Sequence, residues 1–81
     1  MSELNIQHNS AGQRFILTEG NASALLDYQL NGEHIDFCHT YVPPEFRGKG
    51  LAEKLVRHAL SWAQSSGLQI HASCSYVQRF L

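Results

Sequence analysis

Apolar and polar positions alternate through the first half of the chain and then change period. Within Gln13 to Thr18, Phe15 and Leu17 share one face and Arg14 and Ile16 the other, which predicts a half-buried strand. Leu4 to His8 precedes it across the polar cluster Asn9-Ser10-Ala11-Gly12, so the two runs read as a hairpin. Glu19-Gly20-Asn21 marks the next turn. Ala22 to Leu30 then places Ala24, Leu26, Tyr28 and Leu30 on alternate positions. Asn31-Gly32 predicts a two-residue type I′ turn, which needs positive φ at both central residues. The following strand spans about Glu33 to Val42. A period of two puts Ile35, Phe37, His39 and Tyr41 on one face, and His34, Asp36, Cys38, Thr40 and Val42 on the other.

Pro43-Pro44 ends that strand, because proline cannot donate to the ladder. Beyond it, Leu51, Leu55, Ala59 and Trp62 recur at helical spacing, as do Ala52, Val56, Leu60 and Ala63. So wide an apolar stripe suits a helix lying flat on a sheet. Ser65-Ser66-Gly67 supplies its stop. Leu68 to Ser73 reads as a further strand entering beside the fourth, and Tyr76 to Leu81 as a short helical turn. The prediction is an α/β (α+β) domain over residues 1–81, in the order ββββαβ. Its sheet is mostly antiparallel, with one main helix packed on it.

Length limits what this domain can do. With 81 residues it forms a single unit with a small core, so a ligand should lie in an open groove rather than a closed cavity. No apolar run approaches the ~20 residues of a membrane helix, and the N-terminal residues lack a secretory pattern. A cytoplasmic protein with no membrane association is expected. Two cysteines, Cys38 and Cys74, do not make a disulfide framework. The five histidines show no His-x-x-x-His pair, so no metal is expected.

The net charge of −1 argues against bulk binding of nucleic acid. Its distribution is uneven. Arg47, Lys49, Lys54 and Arg57 fall close together with only Glu53 opposing them, a patch suited to a small anion.

That patch begins in the most informative stretch, Val42-Pro43-Pro44-Glu45-Phe46-Arg47-Gly48-Lys49-Gly50-Leu51-Ala52, which joins a strand to a helix N-terminus. Gly48 and Gly50 let a ligand approach the backbone. The first helical turn offers unpaired N–H groups and the positive end of the helix dipole, and Arg47 and Lys49 add formal charge. These features predict a phosphate or pyrophosphate site. Neither a Walker loop nor a dinucleotide fingerprint fits, since Lys49-Gly50-Leu51 lacks the first pattern and Glu53 breaks the second.

Arg47-x-x-Gly50-x-Ala52, placed after an antiparallel strand, resembles the Arg/Gln-x-x-Gly-x-Gly/Ala motif of the GNAT acyl-CoA N-acyltransferases. The block His39-Thr40-x-Val42-Pro43-Pro44-x-x-Arg47-Gly48-x-Gly50-x-Ala52 and the later Ser73-Cys74-Ser75-Tyr76-Val77-x-x-Phe80-Leu81 resemble the short, stand-alone YjdJ-type branch of N-acetyltransferases. The likeness covers residues 33 to 81; before that it holds only for the order of strands.

The resemblance implies an acetyl-CoA groove between splayed fourth and fifth strands. Pyrophosphate would rest on Arg47, Gly48, Lys49, Gly50, Leu51 and Ala52. Pantetheine would run along the fourth strand as far as Val42, with the thioester near Cys74. It implies Cys74 at the transfer point, as nucleophile or acid. His39 is the candidate base, since histidine is the side-chain type that exchanges protons near neutral pH. Cys38 reads as a core residue, and Tyr76 as packing more than as a proton donor. Two departures stand out. Tyr41 occupies a place where the branch usually has an acid, and Ser73 and Ser75 replace its prolines.

The expected function is transfer of an acetyl or other short acyl group from acyl-CoA to an amine on a small molecule or protein. Transfer is either direct or through acetyl-Cys74, by a monomer or weak homodimer. The alternative is a non-catalytic acyl-CoA-binding or regulatory module. A nucleic-acid accessory using the basic patch is a weaker third.

Overall fold

The computed structural model describes residues 5–46, 48 and 50–81. Strand β1 (Asn5–Asn9) and strand β2 (Arg14–Glu19) pair antiparallel, and β3 (Ala22–Asn31) and β4 (His34–Tyr41) continue the meander. A single 3-10 turn over Pro44–Phe46 leads to helix α1 (Leu51–Ser65). Strand β5 (Gln69–Ala72) and a one-turn helix, α2 (Ser75–Gln78), complete the chain. The sheet order is β1-β2-β3-β4-β5, with β5 parallel to β4. Each predicted element is present within about two residues at its ends, except that the last stops at Gln78 rather than Leu81. The predicted Leu4 start of the first strand lies outside the described residues.

The core sits between one face of the sheet and α1. Phe15, Leu17, Ala24, Leu26 and Tyr28 line the inner face of β2 and β3, and Leu55, Val56, Ala59 and Ala63 come from α1. Burial of each large side chain stabilises the fold by roughly 1.5–3 kcal/mol before the entropy cost of ordering it. The helix ends in a Schellman motif. Gly67, at φ 75°, donates to the Gln64 carbonyl, and Leu68 N–H reaches the Ala63 carbonyl. That reversal sends the chain into β5 alongside β4.

Two local features depart from the sequence pattern. The β3–β4 turn is centred on Gly32-Glu33 rather than Asn31-Gly32. Only Gly32 has positive φ, as in a type II′ turn with glycine at its first central position. More consequential is a bulge in β4. Tyr28 faces Phe37, but Asp27 faces His39, so Cys38 is the extra residue. The Cys38 thiol donates to the Asp27 carbonyl at 3.7 Å. Beyond the bulge the faces exchange. Thr40 lies opposite buried Leu26 and turns to the helix side. His39 and Tyr41 lie opposite Asp27 and Leu25, on the helix-free face. The uninterrupted alternation that grouped His39 and Tyr41 with Ile35 and Phe37 therefore fails at Cys38. Cys38 is partly exposed rather than a core residue.

The bulge coincides with the point where β5 leaves. The β4–β5 register runs from His34↔Gln69 to Phe37↔Ala72, and the Cys74 N–H still reaches the Phe37 carbonyl at 3.0 Å. From Cys38 to Tyr41, β4 has no β5 residue beside it. This is the splayed strand pair expected from the sequence.

Candidate functional site

A groove of about 590 Å³ opens where the two strands part. Thr40, Tyr41 and Val42 form one wall, from the end of β4. Phe46 forms part of the floor, and Tyr76 of α2 stands across from them. At its far end lie Gly48, Gly50, Ala52 and Glu53, at the start of α1. One groove thus joins a free stretch of strand edge to a helix N-terminus.

Gly50 is the N-cap of α1, at φ 72°, and no side chain caps the helix. The first intrahelical bond is Lys54 N–H to the Gly50 carbonyl, at 3.2 Å, which leaves the Leu51, Ala52 and Glu53 N–H groups without helical acceptors. These groups and the helix dipole suit an anion. Open space surrounds the missing Cβ positions of Gly48 and Gly50, so it is their positive φ that calls for glycine. Leu51 enters the site only through its backbone, because its side chain is buried in the core. Arg47 and Lys49 lie outside the described residues. Glu53 places a carboxylate at this end of the groove, and Arg57 one turn later pairs with it at 2.7 Å.

At the strand end, the Thr40 hydroxyl lies 3.3 Å from Cys74 Sγ. Burial alone would push the Cys74 thiol up. The Thr40 side chain and the backbone N–H groups of Val77, Tyr76 and Thr40 outweigh it, and the net shift is downward. Cys74 is the N-cap of α2, although its side chain closes no cap bond of standard geometry. The backbone N–H groups act on the sulfur as oriented dipoles, and favour the nucleophilic thiolate. Cys38 is the opposite case. Burial pushes its thiol up, and the Asp27 and Asp36 carboxylates add to the effect.

The structure brings Cys74 to Thr40 and not to His39. His39 is exposed and paired across the ladder with Asp27, which itself holds Arg14 at 2.6 Å. Among the described residues no hydrogen bond joins His39 to Cys74. The two flank the strand gap from different faces of the sheet. Tyr76 both packs edge-on against Phe80 and lines the groove. Burial, then the Glu53 charge, holds its phenol protonated to higher pH than usual, against a smaller opposing effect of Arg79.

Thr40, which had no assigned role in the sequence reading, belongs to the site. It was visible as part of the His39-Thr40 block. No group of three potential metal ligands occurs among the described residues.

A mostly antiparallel sheet that opens beside a glycine-capped helix start defines an acyltransferase architecture. The family model described as GCN5-related N-acetyl-transferase matches residues 14–81, and the chain belongs to that family. Its relatives include Protein NATD1 of Bos taurus, 32% identical over 96% of this chain and 72% of that protein. Protein NATD1 of Homo sapiens is 31% identical over the same shares. The NMR solution structure of a GCN5-like protein from Staphylococcus aureus superposes with a TM-score of 0.75. The two share 30% identity, over 99% of this chain and 79% of that one.

Proposed function

We propose that the protein binds acetyl-CoA, or another short acyl-CoA, in this groove and transfers the acyl group to an amine, with Cys74 at the transfer point. The observation that carries the reading is a thiol of lowered pKa in contact with Thr40, a residue that lines the strand end of a groove whose other end is an anion-suited helix start. Pyrophosphate is assigned to the N–H groups of the α1 first turn, with Arg47 and Lys49 supplying charge. Pantetheine is assigned to the free β4 edge from Cys38 to Val42, whose peptide groups have no β5 partner. The thioester carbonyl then lies in the strand gap.

Two routes balance. In the direct route, a neutral amine attacks the thioester carbon from the helix-free face. His39 takes the proton lost by nitrogen, the carbon–sulfur bond breaks, and CoA leaves as a thiolate that Tyr76 or water protonates. In the covalent route, the Cys74 thiolate attacks the same carbon and CoA leaves. The amine then attacks acetyl-Cys74, its nitrogen gives up a proton to His39 or water, and the carbon–sulfur bond breaks to return the Cys74 thiolate. The opposite placement of His39 and Cys74 suits either route, with His39 on the amine side.

Labelled acetyl-CoA with a panel of amines tests the proposal, using wild type, Cys74→Ala and His39→Ala. Acetyl-protein in wild type that is absent from Cys74→Ala supports the covalent route. Amide product from Cys74→Ala supports direct attack.

Tyr41 favours a second reading. An aromatic residue, 49% exposed, stands where this branch usually has an acid. In a binding module, CoA would protect against unfolding without turnover.

A further inference from the structure

Asp36 sits on β4 two residues before the bulge, on the face away from the core. Its carboxylate accepts two hydrogen bonds from one residue of β5's exit. The Ser73 N–H donates at 2.8 Å, and the Ser73 hydroxyl at 2.7 Å. The parallel ladder ends at Phe37↔Ala72, so this contact grips the first residue past the last paired position. The next residue is Cys74. Its N–H still bonds to the Phe37 carbonyl, and its sulfur meets Thr40. The chain then turns into α2.

We propose that Asp36 is the positioning residue of this site: by gripping Ser73 at two points it fixes where β5 parts from β4, and so holds Cys74 Sγ against Thr40.

The need for such a grip follows from local chemistry. Ser73 and Ser75 flank Cys74, and neither restricts φ as proline does. A serine N–H and hydroxyl bound by one carboxylate give this exit a fixed direction by other means. The site is solvent-exposed, so the contact adds little to global stability. Its value is geometric, because the Thr40 contact and the α2 N–H dipoles act on the sulfur only at close range. The inference rests on the proposed role of Cys74. It is nevertheless tested by thiol reactivity, which needs neither acyl-CoA nor acceptor.

The test is the rate of iodoacetamide alkylation of Cys74 against pH, read by peptide mapping so that Cys38 is scored separately. Ser73→Ala and Asp36→Ala should shift the profile to higher pH. The rate near neutrality should fall about threefold or more, the smaller thiolate fraction being only partly offset by greater nucleophilicity. Asp36→Asn can keep both contacts, its amide oxygen accepting from the N–H and its amide nitrogen donating to the hydroxyl. It should stay within about twofold of wild type, as should Ser73→Thr. Wild-type profiles in Ser73→Ala would overturn the proposal, as would an Asp36→Asn profile shifted as far as that of Asp36→Ala, since a side chain able to keep both contacts would then position Cys74 no better than none. Should Asp36→Ala fail to fold, the contrast between Ser73→Ala and Asp36→Asn decides alone. Shifted reactivity together with unchanged acetyl transfer would leave the positioning role standing and remove Cys74 from the reaction.

Discussion

The Thr40 hydroxyl lies 3.3 Å from the Cys74 sulfur, so a β4 side chain and the residue that caps α2 meet across the gap between β4 and β5. This contact exists because the Cys38 bulge turns Thr40 to the helix side. Thr40→Val keeps the shape and removes the hydroxyl. Cys74 should then titrate higher, and its alkylation near neutral pH should slow by about threefold for each unit of pKa gained. The melting temperature should move little, because the site is only partly buried.

The two cysteines should differ in reactivity in a fixed order. Burial and two nearby carboxylates push the Cys38 thiol up, while donors around Cys74 pull its thiol down. Limiting iodoacetamide should label Cys74 before Cys38, since the two shifts run in opposite directions. Peptide mapping by mass spectrometry reads the order, and equal labelling would contradict the assigned environments.

Gly50 should be sensitive for two separable reasons. Its φ of 72° is unfavourable for any residue with a Cβ, although nothing stands within 4 Å of that position. Gly50→Ala should therefore cost about 1–2 kcal/mol of stability, measured by urea unfolding. Gly50→Glu adds a carboxylate at the anion end of the groove. CoA should raise the melting temperature of the wild type, Gly50→Glu should abolish that rise, and Gly50→Ala should keep part of it.

Acid should destabilise the fold through His8. Its ring stacks on Phe15 at 4.1 Å, meets Trp62 edge-on at 4.4 Å and bonds to the Tyr28 hydroxyl. Burial, and secondarily His58, lowers its pKa below the ordinary 6.5. The unfolded chain then binds more protons than the folded one in the window below that value. This stabilising contribution is complete above about pH 6.5 and is lost as pH falls through the lower folded pKa. His8→Phe keeps the stacking and removes the titration. Its melting temperature should fall less than that of wild type between about pH 7 and 5, the range in which histidine changes charge. Fluorescence of Trp62, the single tryptophan, reports unfolding of the same cluster.

Much of the fold was legible because burial follows a simple period. Phe15 and Leu17 on β2, and Leu55 and Ala59 on α1, are buried as their spacing predicts. Gly48, Gly50 and Ala52 were legible as groove residues because a glycine-rich helix start has a local signature. The bulge at Cys38 was not. One inserted residue in a run of mixed polarity leaves no mark on the alternation, yet it moves Thr40 to the thiol and His39 to the other face. The Asp36–Ser73 grip and the Thr40–Cys74 contact were hidden for another reason. Each joins residues 34 or 37 positions apart, and only the parallel β4–β5 register brings them together.

The most direct test of the central claim is mass spectrometry of the intact protein incubated with acetyl-CoA, followed by chase with an amine panel. The account predicts that wild type transfers acetyl to at least one amine and that Cys74→Ala transfers it more slowly, while Gly50→Glu fails to bind the donor. A wild-type protein that neither acquires, hydrolyses nor transfers acetyl from acetyl-CoA, although CoA protects it from unfolding, would contradict catalysis and leave only the binding module.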